Sequence, residues 1–206
     1  LDIRVEDGII TEIGVLEAEE NEEVLDIKGL VIAPGLIDTH VHFRDPGLTH
    51  KEDIDTGMAA AAHGGYTTVL AMPNTKPVAD CADVIKYVHD KAKAGNCINV
   101  YQVGAVTKGQ AGVELADIRA MVQAGSPAIS EDGKSVMSSN LYREAMKIAA
   151  EEDIVVLAHC EDINLVNGGV MNLDAKSAEL GLPGISNAVE DVITASTGAA
   201  ELSTFI

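Results

Sequence analysis

Ile37-Asp38-Thr39-His40-Val41-His42-Phe43-Arg44 reads as the end of a β-strand that delivers two imidazoles to one place. Side chains at i and i+2 of a strand point the same way, so His40 and His42 converge. Neutral imidazole is a favoured zinc ligand, and two from one strand make half of a site. Taken alone, an HxH pair is also met as one stacked and one solvated histidine, because short motifs carry false positives. The setting moves the reading towards a metal. Asp38 and Arg44 flank the pair, and a second strand, Ile154-Val155-Val156-Leu157-Ala158, runs into His159.

Outward from this stretch the pattern repeats. Candidate strands begin near Gly35, Thr67, Ile98, Ala128 and Ile154, at steps of 32, 31, 30 and 26 residues. That is close to the length of a βαβ unit, about 30 residues or more. Helix punctuation falls between them. Thr49-x-x-Glu52 predicts a capping box before a helix ending at His63, with Gly64-Gly65 as its stop. Asp80 is expected to cap a second helix with Val84, Ile85 and Val88 on one stripe and Gly95 at its end. Asn140 is expected to cap a helix carrying Leu141, Ala145, Ile148 and Ala149. Asn187-x-x-Glu190 starts another, with Val189, Val192 and Ile193 inward. Val69-Leu70-Ala71-Met72 and Ile154-Val155-Val156-Leu157 are apolar on both faces, as parallel strands covered by helices should be. The class is α/β.

An open doubly wound sheet and a (β/α)₈ barrel both accommodate five such units. The strand ends favour the barrel. His40 and His42, Asn74, the Glu131-Asp132 pair and His159 each follow a strand, and only a barrel brings all strand C-termini to one face. Read singly, Asp132 before Gly133 is turn chemistry and His159 a capping or hydrogen-bonded histidine. Read together, three imidazoles and a carboxylate suit a catalytic Zn²⁺ that keeps a position open for water. His50, His63 and His89 lie away from strand ends and are given no role.

The first thirty residues follow another rule. Ile3 and Val5, the turn Glu6-Asp7-Gly8, then Ile9, Ile10 and Ile13 alternate as a hairpin. Glu17 to Glu23 reads as a solvated acidic loop before a further apolar stretch, Val24-Leu25-Asp26-Ile27, and the whole as a small β layer. Residues 1–33 are therefore expected to form part of a separate small β domain and 34–206 the barrel.

Composition narrows the function. With 206 residues, 47% of them hydrophobic, the chain can fill a core, which excludes disorder. Fourteen Lys+Arg against 33 Asp+Glu give a net charge of −19, which repels phosphate backbones, so nucleic acid is not an expected partner. No apolar run reaches the ~20 residues of a membrane helix, and Leu1 to Asp7 do not read as a signal peptide. Three cysteines, Cys81, Cys97 and Cys160, with no CxxC pair fit free thiols and a cytoplasmic setting.

The longer stretch Ala33-Pro34-Gly35-Leu36-Ile37-Asp38-Thr39-His40-Val41-His42-Phe43-Arg44-Asp45-Pro46-Gly47 resembles the opening signature of the amidohydrolase superfamily, and its dihydroorotase branch in particular. Gly64-Gly65-Tyr66-Thr67-Thr68-Val69, Met72-Pro73-Asn74-Thr75-Lys76-Pro77, Ser130-Glu131-Asp132-Gly133, His159-Cys160-Glu161-Asp162, Gly181-Leu182-Pro183-Gly184 and Glu190-Asp191 continue the likeness. The resemblance implies a (β/α)₈ barrel, of which about five units are present, beside a small β-sandwich to which the N-terminal segment contributes. It implies that His40 and His42 bind the more buried metal, that His159 belongs to a second metal position, and that Asp132 stands where many relatives carry a carboxylated lysine. Arg44 and Asn74 match the residues that hold the substrate's carboxylate, a task for which a planar guanidinium fork is suited. Cys160 is given no ligand role.

The implied reaction is the reversible hydrolysis of the ring amide of (S)-dihydroorotate, interconverting it with N-carbamoyl-L-aspartate in pyrimidine biosynthesis. One or two Zn²⁺ would lower the pKa of a bound water towards ~7 and polarise the carbonyl. The family's general base, an aspartate at the eighth strand, has no counterpart here, and no histidine follows His159 to supply the remaining ligand. The sequence is therefore expected to be an incomplete record of a longer enzyme, inactive as it stands, and residues 196–206 are not expected to be contiguous with what precedes them. An allantoinase or hydantoinase-type cyclic amidohydrolase is the alternative within the class. A noncatalytic dihydroorotase-like subunit and a metal-free binding domain are the alternatives outside it. A homodimer is expected, with aspartate transcarbamoylase as a further partner.

Overall fold

Chain contacts divide between Pro34 and Gly35, so that Leu1–Pro34 forms one unit and the chain from Gly35 another. The computed structural model describes residues 1–186 and 188–189; the expected cap at Asn187 and Glu190, the inward positions Val192 and Ile193, and residues 196–206 lie outside the described residues.

In the first unit, β1 (Asp2–Glu6) and β2 (Ile9–Gly14) pair antiparallel. Asp7 and Gly8 have φ of 49° and 79°, the two left-handed residues that a tight hairpin turn of matching twist requires. The acidic run is not simply solvated. Arg4 gathers it, donating from Nε to Glu22 at 2.7 Å and from Nη2 to the Glu17 carbonyl at 3.0 Å, and pairing with Glu12 across the hairpin. The apolar stretch Val24–Ile27 is not a strand. Among the described residues no edge pairs with it, and without a partner ladder an apolar segment gains nothing from extension; Val24 and Leu25 stay exposed.

The second unit alternates strand and helix: β3 (Leu36–Val41), α1 (Ile54–His63), β4 (Tyr66–Ala71), α2 (Ala82–Gly95), β5 (Asn99–Gln102), β6 (Gly104–Ala105), α3 (Ile118–Gln123), β7 (Ala128–Ser130), α4 (Ser139–Glu151) and β8 (Val155–Leu157). These strands pair parallel, in the orders β3-β4-β5 and β6-β7-β8. Only Val103 separates β5 from β6, and its N–H donates to the Ala71 carbonyl at 2.9 Å, so parallel bonding carries on through the break. The α/β class is what the spacing predicted. Beyond β8 come α5 (Ile163–Val166), β9 (Met171–Asn172), α6 (Ala175–Leu180) and β10 (Gly184–Ile185), with β9 and β10 a short parallel pair.

Apart from α2, the helices start where a side chain can reach a free N–H, and three of the cap positions differ from the sequence expectation. Asp53, not Thr49, caps α1, accepting from Thr56 N at 2.9 Å; residues 48–51 are already tied into a turn by Leu48 N to Arg44 O and Lys51 N to Leu48 O. Asp80 does not cap α2: its Oδ2 accepts from Gly109 N at 2.7 Å, and Cys81 takes the cap position without a side-chain bond. Ser138, not Asn140, caps α4, accepting from Leu141 N at 3.3 Å. For Asp80 a competing partner, the Gly109 N–H, decided.

Strand alternation sorts the side chains. Val69 and Ala71 of β4 pack with Ile54 and Met58 of α1 and Val88 and Ala92 of α2. Ile129 of β7 packs with Ile85, Ile118, Met121, Ala145 and Ala149. On the opposite face Met72, Val103 and Ala128 form a separate cluster with Leu70 and Leu157. A fully buried Ile or Met contributes about 1.5–3 kcal/mol, so these helix–sheet layers carry most of the fold. β8 departs from the expected two-sided burial: Val155 is 57% exposed, because β8 ends the strand order. β3, at the other end, exposes Leu36 and Ile37.

Candidate metal centre

The parallel register sets the site. Val41 and Phe43 turn towards the cluster built on α1 and α2, which leaves His40 and His42 on the other face of β3. Their ring centroids lie 5.2 Å apart, edge to face. Asp132 follows β7 by two residues and enters the same space with its side chain 7% exposed. His40 Nε2 lies 3.0 Å from Asp132 Oδ1 and His42 Nε2 3.6 Å from Oδ2. The donor atoms of His40, His42 and Asp132 all fall within 4.8 Å of one another. Ligands at 2.0–2.1 Å from a tetrahedral zinc sit about 3.3 Å apart, so this nitrogen and oxygen set has the chemistry and spacing to hold such an ion.

His159, two residues past β8, meets the same carboxylate: its Nδ1 is 3.7 Å from Asp132 Oδ1, and its Nε2 faces Glu161 at 3.3 Å. It is not one of the mutually close three. Thus the four residues read from the sequence as ligands come together around Asp132, with His159 reaching it separately from the His40/His42 pair.

Asp132 is held from several sides. Its N–H donates to Ser130 Oγ at 3.1 Å, its carbonyl accepts from Gln110 Nε2 at 3.0 Å, and its Oδ2 accepts from Asn74 Nδ2 at 2.7 Å. Glu131 faces away and ties β7 to the neighbouring segment, accepting from Val106 N and Thr107 N, each at 3.1 Å, and from the Thr107 hydroxyl. Burial pushes the Glu131 carboxyl up from its ordinary value, against the pull of these donors. Ser135 closes the far side, donating to the His159 carbonyl at 3.2 Å. Gln110 and Ser135 carry no sequence signal of their own; Glu131 and Glu161 were legible only as neighbours of Asp132 and His159 at strand ends.

Arg44 stands in the left-handed region (φ 58°) and its Nη1 approaches the Asn74 carbonyl at 3.5 Å. Among the described residues it makes no ion pair with a carboxylate. The surface pair with Asp45 that its neighbour suggests does not form, because Asp45 turns into the protein and accepts from Lys91 Nζ at 2.6 Å and Tyr87 OH at 2.9 Å. Asn74 does not cap a turn; its side chain lies between His42 and Asp132. His89 is structural: its Nε2 accepts from Gln102 N at 3.0 Å, and burial holds its pKa below the ordinary histidine value.

Comparison with known proteins agrees with this geometry. The dihydro-orotase-like family profile matches residues 29–198. A dihydroorotase of Acetivibrio thermocellus is 48% identical over 195 residues, which are 95% of this chain and 46% of that protein. A dihydroorotase of Geobacter sulfurreducens is 51% identical over 196 residues, with the same two coverages. A D-hydantoinase (dihydropyrimidinase) from Thermus sp. superposes with a TM-score of 0.68 at 28% identity, over 95% of this chain and 44% of that one. The chain thus spans about half the length of the curated relatives it matches. A metal-competent trio of donors at the ends of the parallel strands β3 and β7, together with a profile match over most of the sequence, shows that this chain belongs to the dihydro-orotase-like family of the amidohydrolases.

Proposed function

We propose that this chain carries the metal-binding half of a zinc-dependent dihydroorotase, which hydrolyses the ring amide of (S)-dihydroorotate and closes N-carbamoyl-L-aspartate in the reverse direction. The observation that carries the proposal is the convergence of His40, His42 and Asp132 within 4.8 Å. His40, His42 and Asp132 would hold one ion, and His159 would belong to a second metal position. A bound zinc supplies Lewis acidity, lowering the pKa of a coordinated water and polarising the scissile carbonyl. The chain's own part is to orient. Arg44, free of any carboxylate among the described residues, receives the substrate's carboxylate through its two-pronged donor edge, with Asn74 beside it.

The same reading extends to the rest of the molecule. The parallel strands β3 to β8 belong to an eight-stranded barrel, residues 34–206 to its first part and residues 1–33 to a small β-sandwich. The protein works in the cytoplasm as a homodimer, with aspartate transcarbamoylase as a further partner. The base that delivers a proton to the leaving nitrogen and the remaining ligand are supplied by residues other than those described.

Two measurements test the assignment. Assays of the enzyme that carries this chain with dihydroorotate, allantoin and hydantoin side by side should give turnover of dihydroorotate; turnover of allantoin or hydantoin alone moves the reading to that branch. Zinc analysis should find stoichiometric metal in the wild type and its loss in the His40→Ala, His42→Ala double variant. A noncatalytic scaffold would carry no stoichiometric metal in either.

A further inference from the structure

Asn74 sits three residues past β4, and both ends of its amide are engaged within the site. Its Nδ2 lies 2.7 Å from Asp132 Oδ2 and its Oδ1 lies 3.0 Å from His42 Nδ1. The orientation of the amide follows from chemistry. A carboxylate only accepts, so the atom facing Asp132 is the NH₂ group, and the atom facing His42 is therefore the carbonyl oxygen. A carbonyl oxygen only accepts in turn, so His42 carries its proton on Nδ1. In the neutral ring this puts the lone pair on Nε2, the nitrogen that faces Asp132 Oδ2 at 3.6 Å. Asn74 is itself fixed: its main-chain carbonyl receives Arg44, and Lys76 N, two residues on, donates to Pro46 O at 3.0 Å. Gly133 leaves it room, since a methyl group there would lie 3.3 Å from Asn74 Nδ2.

We propose that Asn74 is a positioning residue for the metal, one amide that fixes the His42 tautomer with its carbonyl and the Asp132 carboxylate with its NH₂. The proposal rests on the metal-site reading above and goes beyond a contact with substrate, for which the second N–H of the amide remains. Ligand histidines characteristically donate their other ring N–H to an acceptor, and loss of such a partner weakens metal binding about 10–100-fold. Here a single side chain serves two ligands that come from different strands, so it also holds β3 and β7 at one spacing.

The test uses the enzyme that carries this chain, with zinc as the only ligand, and affinity is measured by competition against a chromophoric chelator. Asn74→Leu, which keeps the size, and Asn74→Ala should each bind zinc about 10–100-fold more weakly than the wild type. Affinity within twofold of the wild type in both, while the His40→Ala, His42→Ala double variant has lost zinc, overturns the role of Asn74 and leaves the metal site standing. Unchanged zinc binding in the double histidine variant removes the metal site and this proposal together. A second measurement needs no variant. Long-range ¹H–¹⁵N spectra of the metal-free wild type should show His42 protonated on Nδ1, and protonation on Nε2 instead overturns the proposal. In Asn74→Leu that tautomer preference should disappear; its persistence alongside weakened zinc binding would assign Asn74 to packing rather than positioning and so also overturns it.

Discussion

Asp45 shows how one side chain anchors a functional loop. Its carboxylate is 1% exposed, yet it is satisfied by the Lys91 ammonium and the Tyr87 hydroxyl from α2, and this fixes the loop from which Arg44 projects. The pairing holds the Lys91 ammonium and the Tyr87 phenol above their ordinary values, chiefly through the hydrogen bond to Asp45. Removing one partner leaves a buried acceptor short of a donor, so Lys91→Met is expected to lower unfolding stability by about 1–3 kcal/mol in urea titrations, and Tyr87→Phe by about 1 kcal/mol. His89 makes a second prediction at this scale. In the folded protein burial keeps it neutral, and its Nε2 must stay unprotonated to accept from Gln102. Its folded pKa lies below its unfolded one, so as pH falls through about 6.5 the unfolded chain takes up the proton first and stability is lost. The melting temperature should therefore drop from pH 7 towards pH 5, and His89→Gln should flatten that slope.

The caps define the helices at the scale of the element. Because Asp53 and Ser138 accept from the first free N–H groups of α1 and α4, Asp53→Ala and Ser138→Ala should each cost about 1 kcal/mol. Thr49→Ala and Asn140→Ala, at the positions the sequence pattern favoured, should change stability by less than about 0.5 kcal/mol, as ordinary surface substitutions do. Chemical denaturation of the four variants side by side separates the two sets. The strands obey a firmer rule. Alternation places His40 and His42 on one face with Val41 and Phe43 on the other, and it does so across a stretch where the β3–β4 register shifts between Asp38 and Val41.

At the scale of the molecule, the parallel strand order among the described residues ends at β3 and β8, and both ends expose apolar residues: Leu36, Ile37 and Val155. Unpaired edges of this kind template association. The 206-residue chain on its own should self-associate with rising concentration, and Val155→Lys should shift it towards monomer in size-exclusion chromatography with light scattering. The candidate site lies at the strand C-termini, so its assembly is tied to the stacking of β3, β4 and β7 and not to any one loop.

The sequence by itself determined the alternating α/β order, the β1–β2 hairpin and the convergence of His40 with His42, because all of these follow from local geometry repeated every two or thirty residues. It also named Asp132 and His159, through the polar residues that close successive apolar strands. What only the tertiary structure decided were the choices among competing partners: Asp45 to Lys91 instead of Arg44, Asp80 to Gly109 instead of a helix N-terminus, and Asn74 between two ligands, 32 residues from His42 and 58 from Asp132. A side-chain hydrogen bond goes to whichever group the folded backbone brings within about 3 Å, and distance in space is not written in spacing along the chain.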